Sequence, residues 1–234
     1  GDFEKLCAEA REYGFAMVAI NPAPVSLCKD LLAGTSVHVG AAVGFPLGQS
    51  TPQVKKYETV DAIANSADEI DYVINITQLK EKNYDFIEHE MAGIVEECRG
   101  AGVISKVIFE NCYLTEEEKR ALCSIAREVR PDFIKTSTGF GTGGATFEDA
   151  MAKVEELYGL TTKEGEALSL TATDVENLRK AWNVAMGTQE IDKAEASLLY
   201  GGYNPFSMAV SHIMNNKAGP VSYTHLRAHE TGRN

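Results

Sequence analysis

From residue 3 to about residue 157 the sequence alternates between segments of helical periodicity and short β-branched runs, and this alternation constrains the fold more than any other feature. A chain with that pattern builds βαβ units, whose strands are parallel. Residues 3–13 (FEKLCAEAREY) read as a helix, and residues 16–22 (AMVAINP) as a strand stopped by Pro22. A second strand over 37–46 ends at Pro46 and Gly48. The helix that follows has N-cap and first-turn chemistry at Thr51 and Pro52, with Val54, Tyr57, Val60 and Ile63 repeating on one face. EIDYVINI (69–76) is a third strand, a helix over about 83–99 buries Phe86, Met91, Ile94, Val95 and Cys98, and SKVIFEN (105–111) is a fourth strand. Thr115 and Glu118 have capping-box spacing, which predicts a helix from Glu116 to Val129. Pro131 separates that helix from a fifth strand in DFIKTST, and residues 146–149 read as the N-cap of the next helix.

Continuous apolar strands joined by helices are buried on both faces, which leaves a doubly wound sheet or a (β/α) barrel. The G-x-G-x-x-G fingerprint is absent after the first strand. Its nearest match, GFGTGG, follows the fifth strand, which argues against a dinucleotide site. Net charge is −12 and the Lys and Arg residues are scattered, so there is no basic stripe for nucleic acid. The five cysteines are odd in number and never spaced C-x-x-C; they read as reduced thiols of a cytoplasmic protein, outside any disulfide framework or zinc knuckle. No run reaches the roughly 18 apolar residues of a membrane span, and no leader opens the chain, so no membrane partner is expected. Gly1 falls inside an apparent helix, which suggests an N-terminus further upstream.

Three strands carry an ionisable residue where a plain core would place Val or Ile: Asp71, Lys106 and Lys135. By period-two alternation Asp71 shares a face with Val73 and Asn75, Lys106 with Ile108 and Glu110, and Lys135 with Phe133 and Ser137. A single strand lysine more often sits at a strand end and reaches water. An acid and two lysines on neighbouring strands instead imply pairing, function or both, because an isolated buried charge is costly. Such a cluster suits amine catalysis. A lysine attacks a carbonyl as the free amine, and lowering its pKa to about 7 or 8 takes roughly 3 to 5 kcal/mol of bias against the charged form. Lys106 could supply that bias as a second cation, and Asp71 could move protons. Gly139, Gly141, Gly143 and Gly144 allow an anion-binding nest after Lys135, although any tight βα loop needing positive φ also uses glycine.

These residues resemble the deoxyribose-phosphate aldolase family. AINP is similar to its V-C-V-N-P segment, VGFPLG to its G-F-P-x-G loop, EIDYVINI to its E-I-D-x-V-I-N strand, KVIFENCYLTEEE to its K-V-I-x-E strand, and DFIKTSTGFGTGGAT to its most specific signature. The likeness covers residues 1 to about 150. It implies a TIM (β/α)8-type barrel and reversible aldol cleavage of 2-deoxy-D-ribose 5-phosphate to acetaldehyde and D-glyceraldehyde 3-phosphate, without metal or organic cofactor. By the same resemblance Lys135 would be the Schiff-base lysine, Asp71 the proton relay and Lys106 part of the surrounding charged network. Gly139 would help hold the substrate phosphate, with Thr136, Gly143 and Gly144 as further substrate-binding residues. The implied partners are a small phosphorylated sugar and aldehydes; a homo-oligomer is admitted and not required. Two other readings are a transaldolase-like Schiff-base enzyme and a non-catalytic α/β binder of sugar phosphates.

The sequence also departs from the family pattern. Ala19 stands where the family has cysteine. The family's first strand (I-D-H-T-L-L), seventh strand (K-x-x-G-G) and eighth strand (G-x-S) are not recognised, and Lys217 is only a faint echo of the second catalytic lysine. The expected organisation is an incomplete barrel over 1–158, a helical segment over 159–219 with a capping-box spacing at Thr173 and Glu176, and a non-native tail over 220–234 similar to translated adapter text. An open barrel edge beside Lys135 would admit water, so impaired activity is expected of this chain.

Overall fold

The computed structural model describes residues 1–149, 151 and 170–185. Five strands form one parallel sheet: β1 (Met17–Ile20), β2 (His38–Val43), β3 (Glu69–Val73), β4 (Ile104–Ile108) and β5 (Phe133–Lys135). Their spatial order, β1-β2-β3-β4-β5, is their order in the chain. A doubly wound sheet reverses its strand order part-way; this one does not, so it is an arc of a (β/α) barrel.

One face of the arc meets the helices α1 (Asp2–Tyr13), α2 (Val25–Leu31), α3 (Pro52–Ala64), α5 (Tyr84–Ala101) and α6 (Glu116–Val129). Val18, Ile20, Val39, Ala41, Val43, Ile70, Tyr72 and Val107 project there and cluster with Cys7, Cys28, Ala62, Met91, Ile94 and Leu122. The opposite face carries the charges of the sheet among apolar neighbours such as Val73 and Ile108. Register pairs Gly40 with Glu69, Asp71 with Ala42 and Lys106, Lys106 with Phe133, and Ile108 with Lys135. Paired residues project to the same side of a sheet, so Glu69, Asp71, Lys106 and Lys135 share one face with Met17 and His38. The strands are therefore apolar toward the helices and charged toward the barrel interior.

Local chemistry accounts for most boundaries. α6 begins as its capping box predicts: Thr115 Oγ1 accepts from the Glu118 N–H at 3.3 Å and the Glu118 carboxylate accepts from the Thr115 N–H at 2.7 Å. β3 ends at Val73, three residues before the expected limit, because Asn75 caps a short helix α4 (Ile76–Lys80) by accepting from the Gln78 N–H at 3.1 Å. α3 turns a different face inward than its apolar repeat suggests. Lys55, Thr59 and Ala62 are buried, whereas Val54, Tyr57 and Val60 are exposed. The spacing of four and three residues follows the helix more closely than a strict repeat of three, and the charge of Lys55 is met inside the fold.

Residues from Ala145 onward belong to a second unit. Thr146 and Asp149 cap each other at 3.2 and 3.1 Å, as expected. The helix Ala172–Ala185 starts two residues earlier than the Thr173 spacing predicts. Its cap is Thr171 with Asp174, whose carboxylate accepts from the Thr171 N–H at 2.8 Å. Arg179 pairs with Glu148 at 3.0 Å and lies 4.2 Å over the Phe147 ring. Lys217, the expected boundary at 158, the tail 220–234 and the rest of the expected helical segment lie outside the described residues.

Candidate active site

The charged face of the sheet holds a continuous chain of ionisable side chains. Asp71 Oδ2 accepts a hydrogen bond from Lys135 Nζ at 2.7 Å, and Asp71 Oδ1 lies 3.2 Å from Lys106 Nζ. Lys106 also pairs with Glu69 Oε2, and its Nζ touches Met17 Sδ at 2.7 Å. Glu69 Oε1 lies 2.6 Å from His38 Nδ1. Glu69, Asp71 and Lys106 are buried, while the Lys135 side chain keeps 30% of its surface exposed. The one amine of this cluster that solvent reaches substantially is thus held by a buried carboxylate. That pairing of amine and proton acceptor suits addition to a carbonyl followed by proton transfer.

All three residues expected from the sequence, Asp71, Lys106 and Lys135, meet in this network. Two members went unread, Glu69 and His38. The signal for Glu69 was present, since E-I-D puts both carboxylates on one face of β3 by period two. Its presence changes the electrostatics. Lys106 is not a bare second cation, because Glu69 compensates it, and two lysines face two carboxylates.

The segment after β5 is folded around Glu110. This residue is buried in a left-handed conformation with φ of 57°, unusual for a side chain other than glycine. Its carboxylate accepts from the Thr138 N–H at 3.2 Å and from the Thr138 hydroxyl. The Asn111 N–H reaches the Thr136 carbonyl at 2.8 Å, and the Phe109 N–H reaches the Lys135 carbonyl at 3.0 Å. Gly139 takes a φ of 89°, a conformation that favours glycine, and a Cβ at Gly141 would sit 2.6 Å from Cys112 Sγ, so a larger residue there would have to displace that side chain. Thr136 is half-buried beside Lys135, and Gly139, Gly143 and Gly144 lie exposed on the loop. Phe140 stands edge-on to Phe45 of the β2 loop, with ring centroids 5.4 Å apart.

A second buried charge pair sits on the helix side of β3. Lys55 Nζ lies 2.8 Å from Glu90 Oε1 and donates to the Val73 carbonyl at 2.7 Å, while Glu90 Oε2 accepts from the Asn75 N–H at 3.0 Å. Both side chains are wholly buried, and burial pushes the Lys55 pKa down and the Glu90 pKa up. None of the five cysteines is in a disulfide; burial raises Cys98 to about 12 and, with Cys7 alongside, Cys28 to about 11. Among the described residues no group of His, Cys, Asp and Glu is arranged to hold a metal, and no helix is long and apolar enough to cross a membrane.

No protein-family model matches the chain. Curated relatives do. The chain is 58% identical over 148 residues to the deoxyribose-phosphate aldolase of Bacteroides thetaiotaomicron, covering 63% of this chain and 62% of that protein. It is 50% identical over 150 residues to the deoxyribose-phosphate aldolase of Thermococcus kodakarensis, covering 63% of this chain and 67% of that one. Among solved structures, the tetrameric deoxyribose phosphate aldolase from Aeropyrum pernix superposes with a TM-score of 0.61 at 27% identity, over 68% of this chain and 66% of that chain. The chain spans about 62% of the length of the Bacteroides relative.

Proposed function

The chain belongs to the deoxyribose-phosphate aldolase family, and from that premise we propose that it catalyses the reversible aldol cleavage of 2-deoxy-D-ribose 5-phosphate to acetaldehyde and D-glyceraldehyde 3-phosphate. The observation that carries the proposal is the 2.7 Å contact between the partly exposed Lys135 Nζ and the buried Asp71 carboxylate. Lys135 as the free amine adds to the substrate carbonyl and water leaves, giving the protonated Schiff base. Asp71 takes the proton of the hydroxyl on the carbon β to the Schiff base as the bond between the α and β carbons breaks, which releases D-glyceraldehyde 3-phosphate and leaves an enamine of acetaldehyde. Asp71 returns that proton to the enamine carbon, and water then releases acetaldehyde and restores the amine. Lys106 holds Asp71 from the other side. Thr136, Gly139, Gly143 and Gly144 line the segment proposed to receive the phosphorylated end. The tetrameric Aeropyrum pernix structure supports an assembly of identical chains.

The test is covalent trapping. Incubating the chain with acetaldehyde and borohydride is expected to leave a reduced adduct on Lys135, located by peptide mass spectrometry and lost in Lys135→Met. An adduct on no lysine would favour a non-catalytic sugar-phosphate binder.

A further inference from the structure

The charge network contains two residues that the proposed reaction leaves without a task, Glu69 and His38. Glu69 is buried, lies two residues before Asp71 on the same face of β3, and has one oxygen on Lys106 and the other on His38. The groups facing it are His38 from β2, Asp71 from its own strand, Lys106 from β4 and Lys135 beyond them on β5; β1 contributes only Met17. Asp71 divides its two oxygens between Lys106 and Lys135. That division is stable only while Lys106 has a second anion. With Glu69 gone, Lys106 would be a buried cation with Asp71 as its sole carboxylate among the described residues, and the described cluster would carry an excess positive charge.

We propose that Glu69 is a positioning residue that sets the charge balance of the site, neutralising Lys106 so that Asp71 stays on Lys135 and fixing the pH at which Lys135 becomes a free amine. The inference rests on Lys135 being the reacting amine of the proposed aldolase. His38 orients Glu69: its Nδ1 holds the oxygen that Lys106 does not use, and its partly exposed ring brings that end of the network to solvent.

The experiment reads the amine itself, so it is independent of turnover. The full chain is treated with limiting acetic anhydride from neutral to alkaline pH, and acetylation of Lys135 is quantified by peptide mass spectrometry. Removing a negative charge favours the neutral amine. Glu69→Gln is therefore expected to move the half-labelling pH down by about one unit, a roughly tenfold gain in labelling at fixed pH below the midpoint. Lys106→Met is expected to move it up by a similar amount, and the double variant Glu69→Gln/Lys106→Met to return it near the wild-type value. The opposite signs separate charge balance from loosened packing, and either single variant decides the matter if the other does not fold. An unchanged midpoint in a folded Glu69→Gln or Lys106→Met chain, or two shifts in the same direction, would overturn the proposal. Failure of acetaldehyde trapping alongside these shifts would instead count against the aldolase reading alone.

Discussion

Substituting one member of the Lys55–Glu90 pair gives a stability change whose size and pH dependence both follow from the structure. Glu90→Gln keeps the side-chain volume and leaves the Lys55 ammonium wholly buried with the Val73 carbonyl at 2.7 Å. A lysine so placed sheds its proton sooner than remain charged. Holding it neutral at pH 7 against an unfolded-state pKa of about 10.4 costs up to about 4.6 kcal/mol, within the roughly 3 to 5 kcal/mol typical of a broken buried pair. For the unit Gly1–Gly144 the unfolding entropy is about 0.3 kcal/mol per kelvin, so the expected drop in Tm is about 10 to 15 °C. In the variant the unfolded chain binds a proton at Lys55 below about pH 10.4 and the native state does not, so stability rises with pH by about 1.4 kcal/mol per unit. The deficit relative to wild type should thus shrink as pH rises from about 7, until Lys55 of the wild type, itself held below its ordinary pKa by burial, also gives up its proton. Urea unfolding followed by circular dichroism at several pH values measures it. Lys55→Met/Glu90→Leu, which removes both charges, is expected within about 1 kcal/mol of wild type or above it. A Glu90→Gln deficit under about 1 kcal/mol at pH 7, or one that does not narrow as pH rises, would refute the reasoning.

Two other substitutions have expected outcomes of different kinds. Gly48 has a φ of 68°, and a Cβ there would lie 1.9 Å from the Ile74 carbonyl oxygen; Gly48→Ala is expected to cost about 2 kcal/mol or more in unfolding free energy. Asp71→Asn is expected to lower the rate of deoxyribose 5-phosphate cleavage by about two to four orders of magnitude in a coupled assay of glyceraldehyde 3-phosphate release, the usual range for loss of a positioned acid–base group.

The elements with strong local chemistry were legible in the sequence. α6 starts and stops where the Thr115–Glu118 box and its periodicity place it, four of the five strands lie within the runs that suggest them, and β4 begins one residue before its run, at Ile104. Legibility failed where a tertiary partner overrides the local pattern. Lys55 reads as a solvent-facing residue of an amphipathic helix and is instead buried, because Glu90 is 35 positions away in the chain and meets it only in the fold. Asn75 reads as the end of a long strand and is a helix cap. In the site, period-two alternation was enough to bring Asp71, Lys106 and Lys135 together. The same alternation should have added Glu69, whose position at a strand start looks like an ordinary exposed end. Thr138 could not be read, because the Glu110 conformation that seizes its N–H is a property of the turn after β4.

β3 explains how one sheet tolerates so many charges. All five of its residues are buried, and it is the middle strand of the arc. On the interior side it offers Glu69 and Asp71 to two lysines; at its C-terminal end the Val73 carbonyl and the Asn75 N–H are gripped by Lys55 and Glu90 from the helix layer. Each cluster pairs cations and carboxylates one for one, so neither leaves an uncompensated charge in a low-dielectric interior. The two differ in access. The helix-side pair is sealed and holds backbone in place, whereas the interior cluster reaches solvent at both ends, through the partly exposed side chains of Lys135 and His38. The interior cluster therefore offers what the proposed reaction needs, an accessible amine held against a buried carboxylate.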